Sequence, residues 1–242
     1  MKILKFKPLL LSVVLLASHI HADEFWGLES WMSSLKTPNF EKITNVNERK
    51  QAFFNYLLPA INKQNTRIIQ LRHDIKTDSI NQFKLKKIYR YYSVTEGDLE
   101  TLLTRVDVIP ASLILAQGAY ESNWGRSRFA KHYHNFFGLW CFTKGCGVVP
   151  LERNKEATHE VAKFSSLDKN IEYYMRSINR NSAYDILRKI RKNKRDQKLP
   201  VTGIALSEGL ENYAEIGYDY VETVQSIIRY NKLSKFDLIN KS

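Results

Sequence analysis

One carboxylate in this chain stands where a proton donor would be useful. In "AQGAYESNWGRSRFA", residues 116–130, Glu121 closes an apolar run and is followed at once by Ser122, Asn123, Trp124 and Gly125. In a helix, residues three and four apart share a face, so Glu121 lies above Gln117 and Gly118, with Ile114 a turn further back. Gly118 costs the helix roughly 1 kcal/mol relative to Ala, a cost that makes sense if another backbone or a substrate passes close by. Three effects act on Glu121. The carbonyls at a helix C-terminus carry partial negative charge and disfavour a carboxylate. Apolar neighbours, Trp124 and Phe129 among them, favour the neutral acid by desolvation. No Lys or Arg precedes Glu121 within a turn to restore the charge. A Glu held protonated near neutral pH is what a general acid for glycoside cleavage requires. A structural alternative stands beside this one: a helix-end Glu paired with Arg126 or Arg128.

The surroundings favour the chemical reading. Trp124, Tyr133, Phe136, Phe137, Trp140 and Phe142 crowd between residues 124 and 142. Sugar rings stack their C–H faces on aromatic side chains, while the amides of Gln117, Asn123 and Asn135 suit hydroxyl and acetamido groups. Core packing accounts for several of these aromatics, but less readily for a cluster in a loop that also holds Gly, His and Asn.

These residues need a scaffold, and the composition bounds it. Apolar residues make up 43% and aromatics 12%, enough for a core and too many for global disorder. Only 10 Gly and 6 Pro occur, which leans towards helix. "NERKQAFFNYLLPAINKQNTRIIQLRHDI" carries Phe53, Phe54, Leu57, Leu58, Ile61, Ile68, Leu71 and Ile75 at helical spacing, with Pro59 placed to kink or split it. A shorter helix follows, with Leu85, Ile88, Tyr89 and Tyr92 on one side. Asp98 is a candidate N-cap for "LETLLTRV", and Pro110 suits the first turn of the helix that ends at Glu121. That helix is apolar almost all round and therefore buried. After a short helix and the aromatic loop, Val148, Val149, Val161 and Phe164 predict a β-hairpin. Helices fill the rest, the next one capped by Ser166 or Asp168. The basic run "RKIRKNKRDQK" reads as a solvated face or as a contact for anionic wall or lipid.

The N-terminus speaks of export. "MKILKFKPLLLSVVLLASHIHA" is basic, then apolar, then polar up to Ala22, the pattern of a secretory signal peptide. Its apolar run is short for a membrane span, so a cleaved leader is preferred to an uncleaved anchor. The whole chain has a net charge of +12, and loss of the leader removes only Lys2, Lys5 and Lys7. A basic exported protein suits anionic polymers; wall material and anionic lipid surfaces fit that compartment better than nucleic acid. Cys141 and Cys146 in such a chain are most simply a disulfide. Zinc is the competing reading, with His132, His134 and His159 as further ligands.

At this point a resemblance becomes specific. "LAQGAYESNWGRSRFAKHYHNFFGLWCF" resembles the signature of bacterial glucosaminidase-domain peptidoglycan hydrolases: an E-S-x-W-G helix end, an S-x-x-A helix, then N-x-F-G. "WCFTKGCGVVP", "THEVAKF", "RNSAY" and "LENYAEIGYDYVETVQSIIRYN" narrow it to the Bax-type branch. The resemblance covers about residues 46–233. It implies an α+β, mostly α, lysozyme-like domain over 76–242, with one small β-hairpin. A helical extension at 23–75 and the signal peptide at 1–22 precede it. It implies hydrolysis of the β-1,4 bond after N-acetylglucosamine, in the periplasm or outside the cell, by a monomer that needs no metal or organic cofactor. Glu121 matches the family's general acid. The second catalytic group falls in the hairpin, with Glu160 first, Glu152 next and Glu156 also available; the sugar's own acetamido oxygen is the alternative. Tyr184 matches a cleft tyrosine, and it would be a core residue otherwise. The substrate-binding set is Gln117, Asn123, Trp124, Asn135, Phe137 and Trp140. Two other readings stay open: a non-catalytic wall-binding or assembly factor, and a lytic transglycosylase or muramidase on the same fold.

Overall fold

Asn45 starts the first helix of the computed structural model by accepting the backbone N–H groups of Asn47 and Glu48, two of the orphan donors of a helix start. Helix α1 (Val46–Lys76) then runs for 31 residues through Pro59 as one element. Pro59 is exposed, whereas Phe53, Leu57 and Ile61 on either side of it have no exposed surface. The common core holds both halves of the helix, so the lost backbone bond does not end it. The structure describes residues 37–150, 159–211 and 217–237. The signal-peptide expectation for 1–22, and Glu152 and Glu156, lie outside the described residues. Among those described, no helix is long and apolar enough to cross a membrane.

Helices α2 (Gln82–Tyr91) and α3 (Leu99–Arg105) follow, and Asp98 caps α3 by accepting the N–H of Thr101 at 3.0 Å. Helix α4 (Ala111–Glu121) occupies the centre: every residue from Ala111 to Ala119 is buried. It packs against α1 and against the late elements α8 (Gly203–Ser207), α9 (Tyr218–Tyr230) and the 3-10 turn Leu233–Phe236. Helix α1 therefore shares the core of the domain that it was expected to precede as an extension. Pro110 sits one position earlier than expected, at the N-cap, where it offers no side-chain bond. The start of α4 is held from afar: the Asp237 carboxylate accepts the N–H of Ser112 at 2.9 Å, its hydroxyl at 2.8 Å and the N–H of Gly203 at 3.2 Å.

The short helix α5 (Arg128–Tyr133) leads to a three-stranded antiparallel sheet of β1 (Trp140–Cys141), β2 (Gly147–Val148) and β3 (Glu160–Ala162), in the order β1-β3-β2. The expected hairpin is present as Val148 opposite Val161. The extra strand, β1, pairs Trp140 with Val161 and Cys141 with Glu160. Two residues offer no alternation from which a strand could be read.

Helices α6 (Leu167–Arg180), capped by Ser166, and α7 (Asp185–Asp196) complete the scaffold. The basic run on α7 is only partly a solvated face. Arg188 and Arg191 turn inward, and Arg191 donates to the carbonyls of Thr104 and Val108 and to Asn179 Oδ1. The last carbonyls of α3 have no intrahelical partner, and a buried guanidinium supplies one.

Candidate active site

The residues after Glu121 make a helix stop. Ser122 donates its hydroxyl to the Gly118 carbonyl at 2.5 Å and accepts the Gly125 N–H at 2.8 Å. Asn123, Trp124 and Gly125 all take positive φ, of 50°, 58° and 78°. At Gly125 a Cβ would lie 2.3 Å from the Phe40 ring, so only Gly fits. The Trp124 indole packs edge-on against Phe53 and Phe54 of α1, with ring centroids at 5.8 and 5.7 Å, and Lys50 lies over it. Exposed Asn123 holds Arg126 through its Oδ1 at 2.7 Å. Thus the S-x-W-G part of the signature ends α4 abruptly and locks the position of Glu121.

Glu121 is half-buried at this stop. Its Oε1 accepts the Tyr220 hydroxyl at 2.8 Å. The other oxygen, Oε2, faces exposed Gly138, where an added Cβ would lie 3.5 Å away. Among the described residues Glu121 has no ion pair: Arg126 is engaged by Asn123, and Arg128 lies over Phe129. Burial raises its carboxyl above the ordinary value, and the Tyr220 bond only partly opposes that. The salt-bridged alternative is therefore not what the geometry shows.

Behind Glu121 runs an oriented chain of hydrogen bonds. The Tyr174 hydroxyl donates to Gln117 Oε1; Gln117 Nε2 donates to the Tyr220 oxygen at 2.9 Å; Tyr220 donates to Glu121. Both ends of the fully buried Gln117 amide are used, so its place is beneath the acid and not against a sugar. Because Oε1 already accepts the Tyr220 hydroxyl, a proton carried by Glu121 would sit on Oε2, on the side of Gly138. Phe137 is also interior, stacked on Tyr174 at 4.0 Å. Its ring explains Gly118, where a Cβ would come within 3.1 Å of Phe137 and 3.3 Å of Leu57. A neighbouring side chain, and not a substrate, needs that space.

Asn135 is 1% exposed and acts as a clamp on the loop. Its Nδ2 donates to the carbonyls of Leu139 and Ala162, and its Oδ1 accepts the N–H groups of Phe137 and Leu139. Trp140 behaves differently. It is 52% exposed and stacks on His159 at 4.1 Å, a flat platform at the edge of the sheet. Tyr184 is buried, and burial together with the nearby Glu121 charge pushes its phenol well above the usual range. Glu160, on the central strand, is 7% exposed; its Oε1 accepts the Gly145 N–H at 3.0 Å and its Oε2 the Gly147 N–H at 2.8 Å. Gly145 lies in the loop closed by the Cys141–Cys146 disulfide, and Gly147 opens β2 just beyond it. The two sulfurs are bonded to each other, which removes the thiolate pair that the zinc reading needed.

Of the residues singled out in the sequence, Glu121, Tyr184 and Gln117 come together. Asn135, Phe137 and Trp124 support the walls from inside, and Trp140 supplies an exposed ring. Tyr220 and Tyr174 were missed as site residues. Tyr220 lies 99 positions from Glu121, and its helical spacing announces only core.

A helix that ends on a desolvated carboxylic acid beside a disulfide-braced sheet has the parts of an acid-catalysed hydrolase. A family model described as mannosyl-glycoprotein endo-beta-N-acetylglucosaminidase matches residues 98–233, which places the chain among the glycoside hydrolases. The chain is also 30% identical over 200 residues to Protein bax of Escherichia coli (strain K12), covering 77% of this chain and 71% of that protein. It belongs to the glucosaminidase family. Among solved structures, the catalytic domain of the autolysin Auto from Listeria monocytogenes is 18% identical with a TM-score of 0.46, covering 90% of this chain and 99% of that one.

Proposed function

We propose that this chain is an exported peptidoglycan hydrolase that cleaves the β-1,4 bond after N-acetylglucosamine. One observation carries the reading: a desolvated Glu121 without a cationic partner among the described residues, its Oε1 occupied by Tyr220 and its Oε2 turned towards exposed Gly138. In this mechanism Oε2 gives its proton to the glycosidic oxygen as the C1–O bond breaks, and C1 takes on oxocarbenium character. The buried Tyr184 phenol, kept protonated, faces the same charge and holds the substrate near the acid. Trp140 stacks a sugar ring. Asn135 and Phe137 serve binding indirectly, by fixing the loop that carries Trp140. The basic surface gives peripheral attraction to the anionic envelope, and the leader delivers the chain to the periplasm or beyond.

Glu160 is our candidate for the second carboxylate. Its two amide bonds fix its direction and leave lone pairs for a water. An inverting reaction would need it roughly 6.5–9.5 Å from Glu121. The same two bonds favour a second reading, in which Glu160 only braces the disulfide loop and the sugar's acetamido oxygen attacks C1. Purified peptidoglycan digested with wild type and with Glu121→Gln tests the assignment. Reducing-end N-acetylglucosamine from wild type alone is expected. Anhydro-muramyl ends would make the enzyme a transglycosylase, and equal digestion by Glu121→Gln would remove Glu121 from the chemistry. Glu160→Gln separates the two readings of Glu160: a general base loses turnover in a folded protein, whereas a brace loses stability first.

A further inference from the structure

A concave site near Trp140 has a lining of distinct chemistry. It is a pocket of about 350 Å3 lined by Arg176, Arg180, Ser93, Ser177, Ser182, Asn181 and Tyr173. No carboxylate and no aliphatic side chain contributes to that lining. Two guanidinium groups therefore face one small polar space. Neither has an ion-pair partner among the described residues. Both are oriented by contacts with uncharged groups. The Arg176 guanidinium lies over the rings of Tyr91 and Tyr173, at 5.2 and 5.0 Å from their centroids. Arg180 Nε donates to the Ser93 hydroxyl. A planar guanidinium already fixed in position loses little entropy when it meets a carboxylate, and its fork matches the two carboxylate oxygens.

The pocket is joined to the catalytic site at two points. The Tyr173 hydroxyl donates to the Trp140 carbonyl at 3.3 Å, next to the exposed indole. Ser182 opens the 3-10 turn that Tyr184 closes, and Tyr184 responds to the charge of Glu121. The amino-sugar backbone of a glycan strand is uncharged, so this cationic lining has nothing to recognise in the sugars themselves. In peptidoglycan every second sugar bears a lactyl-linked peptide with free carboxylates. A strand lying across Trp140 and Glu121 hangs that peptide at the cleft edge.

On the peptidoglycan reading above, we propose that the Arg176–Arg180 pocket is a subsite for the carboxylates of the stem peptide. The enzyme then selects peptide-bearing strands over bare glycan. The test compares intact glycan strands with strands stripped of peptide by an amidase, using wild type, Arg180→Gln and the Arg176→Gln/Arg180→Gln pair. Wild type is expected to favour intact strands by about 10-fold in kcat/KM, carried by KM, with the preference shrinking as salt rises. The double variant is expected to lose the preference and keep the wild-type rate on stripped strands. Arg180 is exposed, so Arg180→Gln remains informative if the loss of Arg176 disturbs Tyr91 and Tyr173; it is expected to lose part of the preference alone. Equal cleavage of both strands by wild type overturns the subsite and leaves the hydrolase reading intact. So does a preference that survives in Arg180→Gln and in a folded double variant. Failure of wild type to cut either strand overturns the hydrolase reading instead.

Discussion

Asp107 and Glu121 are both withdrawn from water on the same scaffold, and their fates are opposite. Burial opposes ionisation of each. At Asp107 the nearby guanidiniums of Arg191, Arg195 and Arg72 outweigh it and hold the carboxyl below its usual range. Arg195 grips it twice, at 2.9 and 3.1 Å. Arg191, itself pulled down to about 10 by burial, stays charged at neutral pH. At Glu121 the only polar partner among the described residues is the Tyr220 hydroxyl, and the carboxyl is raised. Burial with arginines makes a permanent structural charge; burial with a phenol makes an acid that can give up its proton. Among the described residues the arginines gather at Asp107, and none pairs with Glu121, the proposed acid.

Substitutions at the two acids sharpen this contrast. The largest effect is expected for Glu121→Gln, which keeps an acceptor for Tyr220 and removes the proton. Turnover of peptidoglycan should fall by about 10²–10⁴-fold or more, measured as released reducing ends. Asp107→Asn should do the reverse. It leaves buried Arg191 without its counter-charge and should cost about 3–5 kcal/mol in urea unfolding. The stability of Glu121→Gln should not fall in the same assay.

The pH dependence of stability separates the acids by sign. Asp107 has a depressed folded pKa, so its contribution is present above its ordinary value of 3.8 and is lost as pH falls through the folded value. Glu121 is raised, so its contribution is present below its ordinary value of 4.5 and is lost as pH rises through the folded value. Glu121→Gln should accordingly melt higher than wild type at neutral pH, by about 2–4 °C for each kcal/mol gained, and lose that advantage below about pH 4.5. The smallest effect belongs to Tyr220→Phe. Removing the bond that lowers the Glu121 pKa should move the alkaline limb of the kcat/KM profile to higher pH. A downward move would break the assigned direction of the Tyr174–Gln117–Tyr220 chain.

Much of this contrast was legible locally. Helix boundaries followed from caps such as Asp98 and Ser166, because those side chains satisfy backbone donors three residues away. The unusual position of Glu121 followed from the apolar run before it and the turn residues after it. The hairpin around Val148 and Val161 followed from β-branched residues, but β1 did not, because two residues carry no pattern and their pairing partners lie 19 and 21 positions away. Pro59 misled because its local cost is outweighed by core contacts on both sides.

The sequence by itself determined the family, the order of the helices and the pairing of Cys141 with Cys146, and it singled out Glu121 as the candidate acid, since each leaves a local motif or spacing. Only the tertiary structure decided what the named side chains touch. It buried Gln117, Asn135 and Phe137 as supports and left Trp140 exposed. It turned Arg188 and Arg191 inward. It also brought Tyr220 from the far end of the chain to Glu121, where it occupies Oε1 and leaves Oε2 facing Gly138. The Tyr220 contacts join segments about 100 residues apart, and no local pattern records which face of one helix will meet which face of another.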